Sequence, residues 1–206
     1  MTYLSRILSI FPALVFLLAL LSFLWLIIMP CPGAIITLFF ILYLFPLIIY
    51  RIHCRFYPIP LGRSDLRAKE YNPWWGSQQI QLIYNTFPSL EKVLHLFPGL
   101  FSLWLRLWGS KIGKNVYWVP SVTILDRGLL EVGDYVIFGH LSATSSHIVK
   151  PPRLGKLYVY VQWVKIGDQV LVGGESRLGP GSFIEPGAVI PYRHTVLPGK
   201  IFKANR

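Results

Sequence analysis

Two of the chain's five histidines, His140 and His147, fall within VGDYVIFGHLSATSSHIV, residues 132–149. Histidine is the side chain best suited to take up and release a proton near neutral pH. Three small hydroxyl residues, Ser142, Ser145 and Ser146, lie among them and are candidate hydrogen-bond donors to a developing negative charge. The other histidines, His53, His95 and His194, stand apart and read as surface or hydrogen-bonded structural residues. The chemistry to look for is proton transfer at His147 or His140.

The stretch that carries both residues has a six-residue register: VGDYVI, FGHLSA, TSSHIV. The register starts earlier, at IGKNVY, WVPSVT and ILDRGL from Ile112, with Leu130 and Glu131 inserted before Val132. It resumes at Ile166 with IGDQVL, VGGESR, LGPGSF, IEPGAV and IPYRHT, after an interruption over residues 150–163. Hexads of this kind mark a parallel β-helix, three short strands to a turn. Ile112, Val132, Ile166, Val172, Leu178 and Ile184 are expected to point inward and stack. Gly and Asp are expected at the corners, with Asp134 and Asp168 structural. One coil is about 18 residues by the three-hexad count. Asp126 therefore sits one coil before His147 at nearly the same phase, where it can orient an imidazole or serve as a corner carboxylate.

The rest of the chain reads as the means of holding that coil at a membrane. Mean hydropathy is positive, charged residues are 14%, and net charge is +11. Residues 7–29 and 33–50 carry no charge, and Pro30, Pro32 and Gly33 separate them. At ~1.5 Å per residue they reach ~35 and ~27 Å, enough for a transmembrane or re-entrant helical hairpin. A signal peptide would need a shorter apolar core and a small-residue cleavage site, and neither is evident. Arg6 precedes the hairpin and Arg51, Arg55, Arg63, Arg67 and Lys69 follow it, which places both ends and the β-helix in the cytoplasm. The basic balance then fits anionic headgroups. No nucleic-acid motif is present, so nucleic acid is not an expected partner. Cys31 and Cys54 give neither a disulfide framework nor a zinc spacing.

The expected division is a transmembrane hairpin over 1–55, a linker with interfacial helices over 56–108, and a catalytic β-helix over 109–206 with a loop at 150–163. The helical stretch 77–108, broken at Pro98 and Gly99, reads as two helices lying on the bilayer, or alternatively as helices packed on the end of the coil. The fold class expected is mainly β.

Residues 109–191, about two fifths of the chain, resemble the hexapeptide-repeat, left-handed parallel β-helix acyltransferases. IGKNV, VGDYV and IGDQV carry the likeness, and the membrane hairpin lies outside the family's common pattern. The resemblance implies transfer of an acyl group from acyl-CoA or acyl carrier protein to a hydroxyl or amine, a homotrimer with sites between neighbouring coils, and a histidine beside a repeat-breaking loop as the base. His147 fits that place, with Ser145 and Ser146 before it and the interruption after it; His140 is the rival. The same resemblance suggests a donor lying between coils, with Gly173, Gly174 and Gly179 allowing close backbone approach and Lys156, Lys165 and Arg177 meeting phosphates or an acidic carrier.

With the anchor, this makes a membrane acyltransferase acting on a lipid or lipid-linked acceptor. The alternative of another class is a non-catalytic membrane scaffold with a degenerate β-helix. A γ-type carbonic anhydrase shares the fold but needs three histidines around zinc, and no third histidine lies near His140 and His147 in the repeat; no metal site is expected. A nucleotidyltransferase would need a Gly-rich phosphate loop before the repeat, which is absent.

Overall fold

The apolar runs fold as helices whose ends follow from capping and proline. In the computed structural model, which describes residues 2–152 and 156–204, α1 (Tyr3–Ile28) starts at Thr2, whose hydroxyl accepts from the Ser5 N–H at 3.2 Å. The second run comprises α2 (Pro32–Phe39), a π turn (Phe40–Leu44) and α3 (Phe45–Phe56). Pro46 has no N–H to offer the carbonyl four residues back, that of Leu42. The Tyr84 hydroxyl supplies the missing donor, at 2.7 Å. The two helical stretches Tyr3–Ile28 and Pro32–Phe56 are 26 and 25 residues long, with mean hydropathies of 2.7 and 2.4. They are long and apolar enough to cross a membrane. Within the most apolar 18-residue window of each, 22% and 33% of the residues are buried.

The chain divides into two units, Met1–Pro60 with Leu66–Leu90, and Leu61–Asp65 with Glu91–Arg206. In the first unit α4 (Pro73–Thr86), capped by the Asn72 side chain, packs on α1 and α3 through Trp74, Ser77, Ile80, Gln81 and Tyr84. This differs from a helix lying alone on the bilayer. Its buried face includes polar Ser77 and Gln81, and the Gln81 amide bonds within the helix to the Ser77 carbonyl at 3.1 Å. That local bond lets a polar side chain sit against apolar neighbours.

The second unit is the coil. It is preceded by α5 (Ser89–Lys92), which straddles the boundary, a 3-10 turn (Val93–Leu96) and α6 (Leu100–Trp108). Of the two arrangements open for residues 100–108, α6 takes the place on the end of the coil. Phe101, Trp104, Leu105 and Trp108 are buried, and the Trp118 indole donates to the Ser102 hydroxyl at 2.8 Å. Arg106 donates to the Ile112 and Gly113 carbonyls at 2.9 and 2.6 Å, which satisfies groups that the first coil would otherwise leave open.

Three parallel sheets form the coil's faces. The first holds β2 (Lys111–Ile112), β5 (Leu130–Val132), β10 (Val164–Ile166), β13 (Phe183–Ile184) and β16 (Ile201–Phe202). The second holds β3 (Tyr117–Trp118), β6 (Ile137–Phe138), β11 (Leu171–Val172) and β14 (Val189–Ile190). The third holds β4 (Thr123–Ile124), β7 (Ala143–Thr144), β12 (Arg177–Leu178) and β15 (Thr195–Val196). Ile166, Ile184 and Phe202 stack at intervals of 18 residues, one hexad per face. Ile112 and Val132 are 20 apart because of the two inserted residues, and Val132 and Ile166 are 34 apart because an excursion intervenes. The six expected inward residues are all buried, and Trp118 stacks on Phe138 at 4.3 Å between coils.

The corners differ from expectation. Asn115, Tyr135 and Gln169 hold left-handed φ at one corner, and Leu141, Glu175 and Arg193 at the next. Glycine's freedom is therefore not what turns most of them. Corner amides bond to the preceding coil instead, as Tyr135 N–H does to the Lys114 carbonyl at 2.9 Å. Asp134 and Asp168 accept from the Lys114 and Asp134 amides of the neighbouring coil, at 2.6 and 2.8 Å.

Where glycine matters is the close approach of coils. A Cβ on Gly133 would lie 2.7 Å from Asp168 N and 2.8 Å from Gly167 C. Neither backbone atom can retreat without breaking ladder bonds. Gly133→Ala is expected to cost about 1–3 kcal/mol and to lower the thermal midpoint; an unchanged midpoint would contradict this packing.

Two expectations are corrected. Helices hold more residues than strands, so mainly β describes the second unit and not the chain. The excursion is also wider than 150–163. β8 (His147–Val149) already pairs antiparallel with β9 (Tyr158–Val161), so TSSHIV leaves the coil after Ser145. Residues 153–155 of this loop lie outside the described residues.

Candidate active site

The excursion carries His147 away from the coil and back over it. The register of β4 on β7 puts Asp126 opposite Ser146, and the Ser146 N–H donates to Asp126 Oδ2 at 2.7 Å. His147 Nδ1 lies 2.9 and 2.8 Å from the two oxygens of the same carboxylate. Asp126 is 3% exposed and His147 19%. A buried carboxylate thus holds the ring while one edge of it reaches solvent. A carboxylate only accepts, so Nδ1 carries the hydrogen of the neutral ring and Nε2 is the basic nitrogen.

The segment around Asp126 is fixed from several sides. Ser146 Oγ donates to the Leu129 carbonyl at 2.8 Å, and Ser110 Oγ to the Arg127 carbonyl at 2.7 Å. Arg127, next in sequence to Asp126, is 2% exposed and forms a fork with Glu91, Nε to Oε1 at 2.7 Å and Nη2 to Oε2 at 2.6 Å. The Trp104 indole donates to the same Glu91 oxygen at 2.8 Å. Neither Glu91 nor Arg127 is marked by the hexad pattern as part of a site. The available signal was Arg127 itself, a cation inside the hexad ILDRGL.

His147 lines a groove of about 750 Å³ on the third sheet's face, with Thr123, Ser145, Arg177 and Gly179 among the lining residues. The other candidates distribute as follows. His140 is exposed at a corner, its Nδ1 hydrogen-bonded to Ser121 Oγ at 2.8 Å, and it does not line this groove. Lys165 is on the first sheet's face, 3.8 Å from Glu131, and lines a separate groove of about 590 Å³. Lys156 is exposed on the excursion. Gly173 has a structural reason to be glycine, because a Cβ there would meet the Ile190 carbonyl oxygen at 2.5 Å. Gly174 lies beside the His140 carbonyl at the same corner. Ser142, Ser145 and Ser146 each donate to a main-chain carbonyl, those of Gly139, His147 and Leu129. Those hydroxyls serve the backbone and not an oxyanion. The structure therefore brings Asp126, His147 and Arg177 to one face and leaves His140, Lys156 and Lys165 elsewhere. Among the described residues no group of three or more His, Cys, Asp or Glu side chains converges to hold a metal ion.

Fold and site together define a parallel β-helix of hexad coils, broken by one hairpin that sets a carboxylate-held imidazole over an open groove. No protein-family model matches the chain, and no curated protein sequence matches it. Solved structures similar to it include a hexapeptide-repeat acetyltransferase from Vibrio cholerae O1 biovar eltor complexed with acetyl coenzyme A. That pair is 18% identical over 46% of this chain and 55% of the other, with a TM-score of 0.36. A second structure of the Vibrio cholerae protein gives 13% identity, coverage of 58% and 86%, and a TM-score of 0.39. Galactoside acetyltransferase in complex with coenzyme A gives 15%, 55% and 74%, and 0.37. The chain spans 55% of the length of the first of these.

Proposed function

We propose that this chain is a membrane-bound acyltransferase that moves an acyl group from acyl-CoA or acyl carrier protein to a hydroxyl or amine of a lipid or lipid-linked acceptor. The observation that carries the reading is the His147–Asp126 pair, 2.8 Å apart on a hairpin that interrupts the hexads. His147 Nε2 removes the acceptor's proton as its oxygen or nitrogen attacks the thioester carbonyl. Asp126 holds the tautomer and stabilises the imidazolium that forms. The tetrahedral intermediate collapses, the C–S bond breaks, and the imidazolium returns the proton to the departing thiolate. Arg177, on the groove's wall, meets an anionic group of the donor. His140 is the weaker choice of base, since its partner is a hydroxyl and not a charge.

The two apolar helices support a membrane anchor, and the positive flanks favour both ends and the coil on the cytoplasmic side. The hexads favour the left-handed coil. A homotrimer is supported by the second sheet's outer face, where Tyr117, Ile137, Leu171 and Val189 make an exposed apolar row across four coils. The detergent-purified protein is expected to consume acyl-CoA when membrane lipid extract is supplied. Absence of thioester turnover, from acyl-CoA and from acyl carrier protein alike, would favour a scaffold instead.

A further inference from the structure

The stretch 56–108, expected to be a linker with interfacial helices, contains β1 (Gly62–Asp65). β1 pairs antiparallel with β9 in the register Gly62↔Val161, Arg63↔Tyr160, Ser64↔Val159, Asp65↔Tyr158. Asp65 Oδ1 also accepts from the Leu157 N–H at 3.2 Å. The other edge of β9 carries β8, with His147 opposite Val161. Gly62, Val161 and His147 thus form one row across a three-stranded antiparallel sheet, order β1-β9-β8.

His147 is the first residue of β8 and belongs to this sheet and not to the coil. A two-stranded hairpin by itself is marginal in water; a third strand is what makes such a sheet stable. Without β1, β9 becomes an edge, the hairpin frays, and the imidazole loses its fixed distance to Asp126. We propose that β1 is a positioning strap for the base: pairing of residues 62–65 onto β9 holds His147 where Asp126 can orient it. The inference rests on the reading of His147 as the base. It gives the segment that follows α3 a catalytic consequence, although none of its residues is placed in the groove.

The test uses the full chain in detergent. Lys150 N–H donates to the Tyr158 carbonyl and Gln162 N–H to the Ser146 carbonyl. Tyr158, Tyr160 and Gln162 therefore face β8, and Val159 faces β1. Ser64, opposite Val159, aims its N–H at β9, and Arg63→Pro with Ser64→Pro removes that donor. Amide exchange at His147–Val149 is expected to quicken about tenfold or more, while β10 and β13 keep their protection. Turnover is expected to fall by about 10²-fold, because a small displacement of a catalytic group is costly, with KM for the acyl donor unchanged. Arg63 and Tyr160 are directly opposite, a separation that a disulfide can bridge. Adding Arg63→Cys and Tyr160→Cys to Ser64→Pro is expected to restore turnover when oxidised and to lose it on reduction. If the double-proline chain loses its coil as well, Asp65→Ala carries the test, with faster β8 exchange and lower kcat. Unchanged β8 exchange or wild-type turnover overturns the strap. Full activity in His147→Ala overturns the base assignment instead, while the exchange measurement still decides whether β1 holds the hairpin.

Discussion

His147→Ala is expected to lower kcat by about 10²–10⁴, or ~3–5 kcal/mol of transition-state stabilisation, the range for loss of a positioned general base. The acyl donor's KM should change little, because the imidazole is placed to act on the acceptor's proton. Asp126→Asn tests the other half of the pair. An amide can donate to Nδ1 and so favour the tautomer whose Nε2 carries the hydrogen, which removes the base without removing the ring. It is therefore expected to lose activity in the same direction. His140→Ala should leave turnover near wild type, since that ring is exposed and its Nδ1 is bonded to the Ser121 hydroxyl and not to a carboxylate. Steady-state rates of the three purified variants decide the matter; equal losses in His140→Ala and His147→Ala would return the two histidines to equal standing.

Glu91→Gln is expected to cost about 3–5 kcal/mol of stability in the second unit, as when one partner of a buried ion pair is removed. The fork is bidentate, and Arg127 is 2% exposed, so its charge has no route to water in place. Replacing both partners, Glu91→Gln with Arg127→Met, should cost less than the single change, because no buried charge is left behind. Trp104 donates to Glu91 and is a convenient fluorescence probe of denaturant unfolding. The single change should also reduce turnover, since Arg127 adjoins Asp126. A Glu91→Gln protein that unfolds at the wild-type denaturant concentration would remove the fork from this account.

The coil was legible because its signal is local. Six-residue spacing fixes which side chains go inward, and the insertion at Leu130 and Glu131 explains the 20-residue step from Ile112 to Val132. The same count puts Asp126 near His147 in phase, and the register opposes it to Ser146, one residue away. The end of the second coil was not legible. TSSHIV has the composition of a hexad, and what draws it off the coil is β9, ten or more residues downstream, with β1 more than eighty residues upstream. Antiparallel pairing over such separations leaves no periodic trace. Glu91 and Arg127 were hidden for the same reason, since their pairing joins a helical turn to a hexad of the first coil, 36 residues apart. In the helical unit, Gln81 is buried with its amide bonded to the Ser77 carbonyl, a bond internal to α4 that composition does not mark. The Pro46–Leu42–Tyr84 arrangement likewise depends on a tyrosine from another helix.

The central claim is that this chain acylates a membrane lipid with His147 as its base. The most direct measurement is mass spectrometry of membrane lipids incubated with the purified full-length protein and an acyl donor, wild type beside His147→Ala. The account predicts a lipid species heavier by one acyl group with the wild type and its near absence with the variant. No such species from a folded wild-type protein, or the same yield from His147→Ala, would contradict it.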